Sequence, residues 1–119
     1  MIHTVHGQQV MLDSDLAELY GVLTGNLNKA ASRNAKRFSE DFRFRLSKEE
    51  YESLMFQTGI PNDGGRGGRR KLPYVHTKQG ASMLSAVLKS EVAVRASVQI
   101  IRAFVEMRHF IADNAHMFE

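Results

Sequence analysis

Between Thr24 and Arg37 the chain carries a run of side chains suited to reading or holding a nucleic acid: Thr24, Asn26, Asn28, Lys29, Ser32, Arg33, Lys36 and Arg37. Asn pairs with adenine edges, Arg and Lys with guanine edges or phosphate, and Ser or Thr with either. On a helical wheel with Leu27 at the centre of the buried face, Ala30, Ala31, Asn34 and Phe38 share that face. Gly25, Lys29, Ser32, Arg33 and Lys36 fall opposite, with Asn26 and Asn28 on the flanks. The first turn of such a helix lies nearest the bases, so Thr24, Asn26, Asn28 and Lys29 are expected to give direct readout. Arg33, Lys36 and Arg37, further along, are expected to hold phosphate. The plainer alternative is a helical hairpin with a solvated basic face. It does not account for spacing and outward chemistry agreeing in one segment.

A second cationic feature is Gly64-Gly65-Arg66-Gly67-Gly68-Arg69-Arg70-Lys71. A loop with little side-chain bulk and the cations Arg66, Arg69, Arg70 and Lys71 can follow a phosphate backbone or enter a groove. An ordinary surface loop whose charge aids solubility is the competing reading, and the neighbouring helix pair favours nucleic-acid contact. The order Gly-x-x-x-x-Gly-Lys-Ser/Thr is absent, so a nucleotide-phosphate loop is not indicated.

Other reactive groups are less informative. His3 and His6 lack a clear third metal ligand, and His109 and His116 suit solvated positions. Glu49, Glu50 and Glu52 stand at a helix start, where acids complement the dipole. No Ser/His/Asp set or catalytic carboxylate pair can be assigned, so neither an enzyme nor a cofactor or metal is expected. Without cysteine there is no disulfide framework and no thiolate metal site.

The elements that must position the basic residues can be read locally. Ile2–Val5 and Val10–Leu12 flank His6-Gly7-Gln8-Gln9 as a short hairpin. Asp13 is expected to cap a helix that runs through Leu16, Ala17 and Tyr20 and stops at Gly21. A second helix is expected to start at Thr24, as its cap, and to continue to about Phe38. The pair has the marks of a helix-turn-helix: small Ala17 where helices meet, Gly21 at the turn, and Leu16, Tyr20, Val22, Leu27 and Ala30 closing the inner face. Phe42-Arg43-Phe44-Arg45-Leu46 alternates as a half-buried strand. Ser47 with Glu50 forms a capping box, followed by apolar Tyr51, Leu54 and Met55. Gln57 to Arg70 reads as a mobile loop, and Leu72–Thr77 as a strand that Pro73 confines to an edge or a strand start. Helices follow from about Lys78 to Leu88 and from Ser90-Glu91 to about Ala112. The last has a polar stripe (Arg95, Gln99, Arg102, Glu106, His109, Asp113) and an apolar face wide enough to admit a homodimer partner.

At 119 residues and 43% hydrophobic the chain suits one α+β domain over 1–112, with 113–119 as a tail or the start of a linker to a further region. No apolar run nears the roughly 18–20 residues of a spanning helix. The start lacks signal-peptide order, so no membrane partner and a cytoplasmic location are expected. The net charge of +3 hides a partition. Residues 29–45 hold six bases against two acids, and residues 66–78 hold five bases and no acid, with acidic stretches before and between. Two basic segments converging on one face would suit a polyanion.

Val10-Met11-Leu12-Asp13 with Asp15–Val22, then Leu27-Asn28, Arg33-Asn34, and Arg37-Phe38 with Glu40-Asp41-Phe42, resembles the phage "open reading frame six" N-terminal (ORF-six-N) domain. The likeness resumes at Gly67–Arg70 with Leu72-Pro73-Tyr74, Thr77 with Gln79-Gly80, Met83-Leu84-Ser85 and Arg102–Val105, covering roughly residues 5 to 108. Ser39 and Gly25 depart from the family pattern, which usually has proline and often a basic residue there. This family, akin to the KilA and Bro N-terminal domains, implies sequence-specific binding of double-stranded DNA in phage or prophage transcription regulation. It also implies a common fusion to antirepressor-type regions. The alternative expectation is therefore an antirepressor-type interaction module acting on a repressor protein.

Overall fold

In a computed structural model the described residues are 1–58 and 71–114. They form an α+β domain whose four-stranded antiparallel sheet separates one helix from four others. Strands β1 (Ile2–Val5) and β2 (Gln8–Leu12) make the expected hairpin, with Val5 opposite Gln8. The turn is tighter than expected. His6 and Gly7 both take positive φ (54° and 73°), the mirror-image turn whose twist matches its flanking strands, so β2 begins at Gln8.

Helix α1 (Asp13–Tyr20) follows directly from β2. Its end is a Schellman motif at Gly21 (φ 71°): the Gly21 N–H donates to Glu18 O (3.2 Å) and the Val22 N–H to Ala17 O (2.9 Å). Helix α2 (Thr24–Arg33) starts after three residues. Two expected caps are corrected. Leu12 and Leu23, both extended, occupy the N-cap positions without a side-chain cap bond, and Asp13 and Thr24 already lie within their helices. Helix α2 is also shorter than its apolar period suggested. At Asn34 (φ −116°, ψ 38°) the side-chain amide donates to Ala30 O at 2.8 Å and the helix gives way to a 3-10 turn, Ala35–Arg37. Lys36 and Arg37 are thus exposed on that turn rather than on the reading helix, while Phe38 still reaches the core.

Strand β3 (Arg43–Arg45) leads through the Ser47 capping box into α3 (Lys48–Thr58). The Ser47 N–H donates to Glu50 Oε1 (2.7 Å) and the Glu50 N–H to Ser47 Oγ (3.1 Å), and the first of these bonds holds the Glu50 carboxyl below its ordinary range. Gln57 and Thr58 therefore close a helix rather than open a loop, and residues 59–70, including the expected loop and Arg66, Arg69 and Arg70, lie outside the described residues. Strand β4 (Tyr74–His76) is interior, in the order β1-β2-β4-β3, with Pro73 immediately before it; of the two places open to that proline the strand start is the one taken. Helices α4 (Lys78–Leu88) and α5 (Glu91–Asp113) have side-chain caps from Thr77 and Ser90.

Alternation along the strands splits the interior into two layers. Val10, Leu12 and Val75 pack with Leu46, Leu54 and Met55 beneath α3. Met11 faces the other way, into a larger core of Leu16, Ala17, Tyr20, Leu27, Ala31, Leu84, Ile100 and Phe104. The Tyr20 O–H donates to Ala81 O (2.7 Å), tying the helix pair to α4, and burial pushes its pKa up to about 12.

Candidate nucleic-acid interface

Leu27 and Ala31 seat α2 on the core with no exposure, which fixes what the rest of the helix presents. Lys29, Ser32, Arg33 and Asn26 are exposed, and Thr24 and Asn28 half-buried. The wheel drawn from Leu27 is therefore realised in its first ten residues.

Beside α2 the sheet edge supplies residues that the linear pattern did not single out. Phe44 turns toward α3, so Arg43 and Arg45, two positions apart on β3, turn toward α2. Tyr74, opposite Arg45 on β4, lies under both guanidinium groups: Arg43 is 3.6 Å and Arg45 4.5 Å from its ring centroid. Both arginines already counted toward the first basic segment. What the sequence lacked was Tyr74, 29 positions beyond Arg45, as the ring on which they rest.

Between the helix and this edge is a groove of about 510 Å³. Thr24, Gly25, Asn28, Lys29, Ser32 and Arg33 line it from α2, and Arg45, Lys71, Leu72 and Tyr74 from the sheet side. Six expected contact residues thus share one concavity, including Lys71 from the second basic segment. Asn26, Lys36 and Arg37 are exposed outside it.

Asp13 forms the floor. Its buried carboxylate accepts from the Ser14 N–H (2.7 Å), the Asn28 side-chain amide (2.8 Å) and the Tyr74 N–H (3.2 Å). Asn28 Oδ1 in turn accepts from Arg43 Nη2 at 3.4 Å. Both ends of the Asn28 amide are therefore engaged within the fold. Burial lowers the pKa of the half-buried Arg43 guanidinium, and Arg43 Nε has no hydrogen-bond partner among the described residues.

The other chemical candidates resolve differently. His6 pairs with Glu50 and stacks near Phe44. Among the described residues no group of three or more His, Cys, Asp or Glu side chains is arranged to hold a metal ion. No helix among them is long and apolar enough to cross a membrane.

A family model described as the ORF6N domain matches residues 1–87, well over half of the chain. No curated protein and no solved structure matches the chain significantly.

Proposed function

The chain belongs to the ORF6N domain family, and on that premise we propose that it binds double-stranded DNA sequence-specifically in phage or prophage transcription regulation. Helix α2 enters the major groove, with Thr24, Asn26 and Lys29 at base edges and Ser32 and Arg33 toward the backbone. The observation that carries this reading is the shared groove: cations from two segments about 40 residues apart (Lys29 and Arg33; Lys71) line one concavity beside an outward helix face. Arg45, held on Tyr74, adds a phosphate contact on the opposite rim. Asn28 is assigned a positioning role, because pairing with adenine would require breaking its bonds to Asp13 and Arg43. Lys36 and Arg37 contribute from the adjoining turn; Arg66, Arg69 and Arg70, which the sequence also assigns to DNA contact, lie outside the described residues.

The test is binding of Lys29→Ala with Arg33→Ala to DNA selected from random duplexes, across a salt series. Both side chains are exposed, so the fold should persist. Affinity should fall, and the slope of log K against log salt should shrink by about one unit per phosphate contact removed. A double variant that binds as tightly as the parent, with the same slope, overturns the assignment.

A further inference from the structure

Helix α5 has two apolar rows. Ala93, Ala96, Ser97, Ile100 and Phe104 face the core and are buried. On another side, Val94, Val98, Ile101 and Val105 follow at spacings of four, three and four, the seam spacing of a coiled coil. Val94 is 58% and Val98 44% exposed, and Ile101 and Val105 are half-buried, so this second row lies outside the core, open at its start and partly covered further along. One further step at each end reaches an exposed charge, Glu91 before and Arg108 after. Neither forms an ion pair with another described residue.

The row thus runs acid, four aliphatic side chains, base. Turned end for end about a point between Val98 and Ile101, it is its own complement: Glu91 meets Arg108, Val94 meets Val105, and Val98 meets Ile101. We propose that α5 pairs antiparallel with α5 of a second copy of this chain, through a two-fold contact that Glu91–Arg108 pairs close at both ends. A parallel pairing would set Glu91 beside Glu91 and Arg108 beside Arg108. Arg95 and Arg102, which flank the row, each have an acid of their own helix one turn away, Glu91 and Glu106. The contact is isologous, so it closes as a dimer and does not propagate.

Sedimentation of the full chain should give twice the monomer mass, and Val98→Glu should give the monomer mass with an unchanged circular dichroism spectrum. Because the chain has no cysteine, orientation can be read by cross-linking. Under oxidation a mixture of Val94→Cys and Val105→Cys chains should form a disulfide-linked dimer that neither variant forms alone. A monomer at every soluble concentration overturns the proposal, as does a Val98→Glu dimer. So does cross-linking within either single variant alone, which would mean parallel helices. These outcomes are read without DNA and do not depend on the reading of α2.

Discussion

Asn28 occupies a position from which a base could be read, yet its amide joins Asp13 below it to Arg43 beside it. Its loss leaves a buried carboxylate with one donor fewer and frees the angle between α2 and the sheet edge. Asn28→Ala is therefore expected to lower stability by about 1–3 kcal/mol, seen as a drop in thermal midpoint. Asn26→Ala, exposed on the same helix, should stay within about 0.5 kcal/mol. If Asn28→Ala melts like the parent and only loses preference at one base pair, Asn28 is a reader and the positioning role fails. The sequence shows two similar asparagines, both on the flanks of the wheel. Which one faces inward depends on Asp13, 15 positions away.

At the scale of elements, the glycines of α2 and α4 have opposite consequences. A Cβ on Gly80 would lie 2.0 Å from the carbonyl oxygen of Phe42, where α4 passes against the segment entering β3. The Thr77 N–H donates to that same oxygen (3.0 Å), so a shift that relieves the contact also strains this bond. Gly80→Ala should cost about 3 kcal/mol or more in urea denaturation, at the upper end for overpacking. Gly25 meets nothing within 4 Å, and Gly25→Ala should stabilise α2 by about 0.5–1 kcal/mol. Equal and small effects at both sites would show that α4 is free to shift. The elements themselves were largely legible: the Ser47–Glu50 box, the Ser90 cap and the Gly21 stop act within a few residues of themselves. The end of α2 was not, because Phe38 keeps the apolar period although the helix has already broken at Asn34.

At the scale of the whole molecule, one fully buried ionisable side chain among the described residues has no hydrogen-bond partner. His76 on β4 is fully buried, edge-on to Phe38, and neither ring nitrogen has a hydrogen-bond partner among the described residues. Burial, reinforced by the charge of Arg43, holds its pKa down to about 3 against an ordinary 6.5. Between those values the unfolded chain binds a proton that the folded chain refuses. The contribution is fully present above pH 6.5 and is lost as pH falls, by about 1.4 kcal/mol per unit. His76→Leu should remove this slope between pH 6.5 and 5, before most carboxylates titrate. Identical pH dependence in parent and variant would show that the imidazole gains a proton or a partner in the folded state.

Local order and charge distribution were determined by the sequence alone: a helix pair turning at Gly21, an α+β order of elements, and two basic segments within a modest net charge. Those features rest on contacts within a turn or on simple counting. Only the tertiary structure decided that β4 is interior, that Arg43 and Arg45 rest on Tyr74, and that Asp13 is a buried acceptor rather than a helix cap. Each of these joins residues some 29 to 65 positions apart. No local preference specifies such a meeting; it follows from packing both faces of the sheet at once.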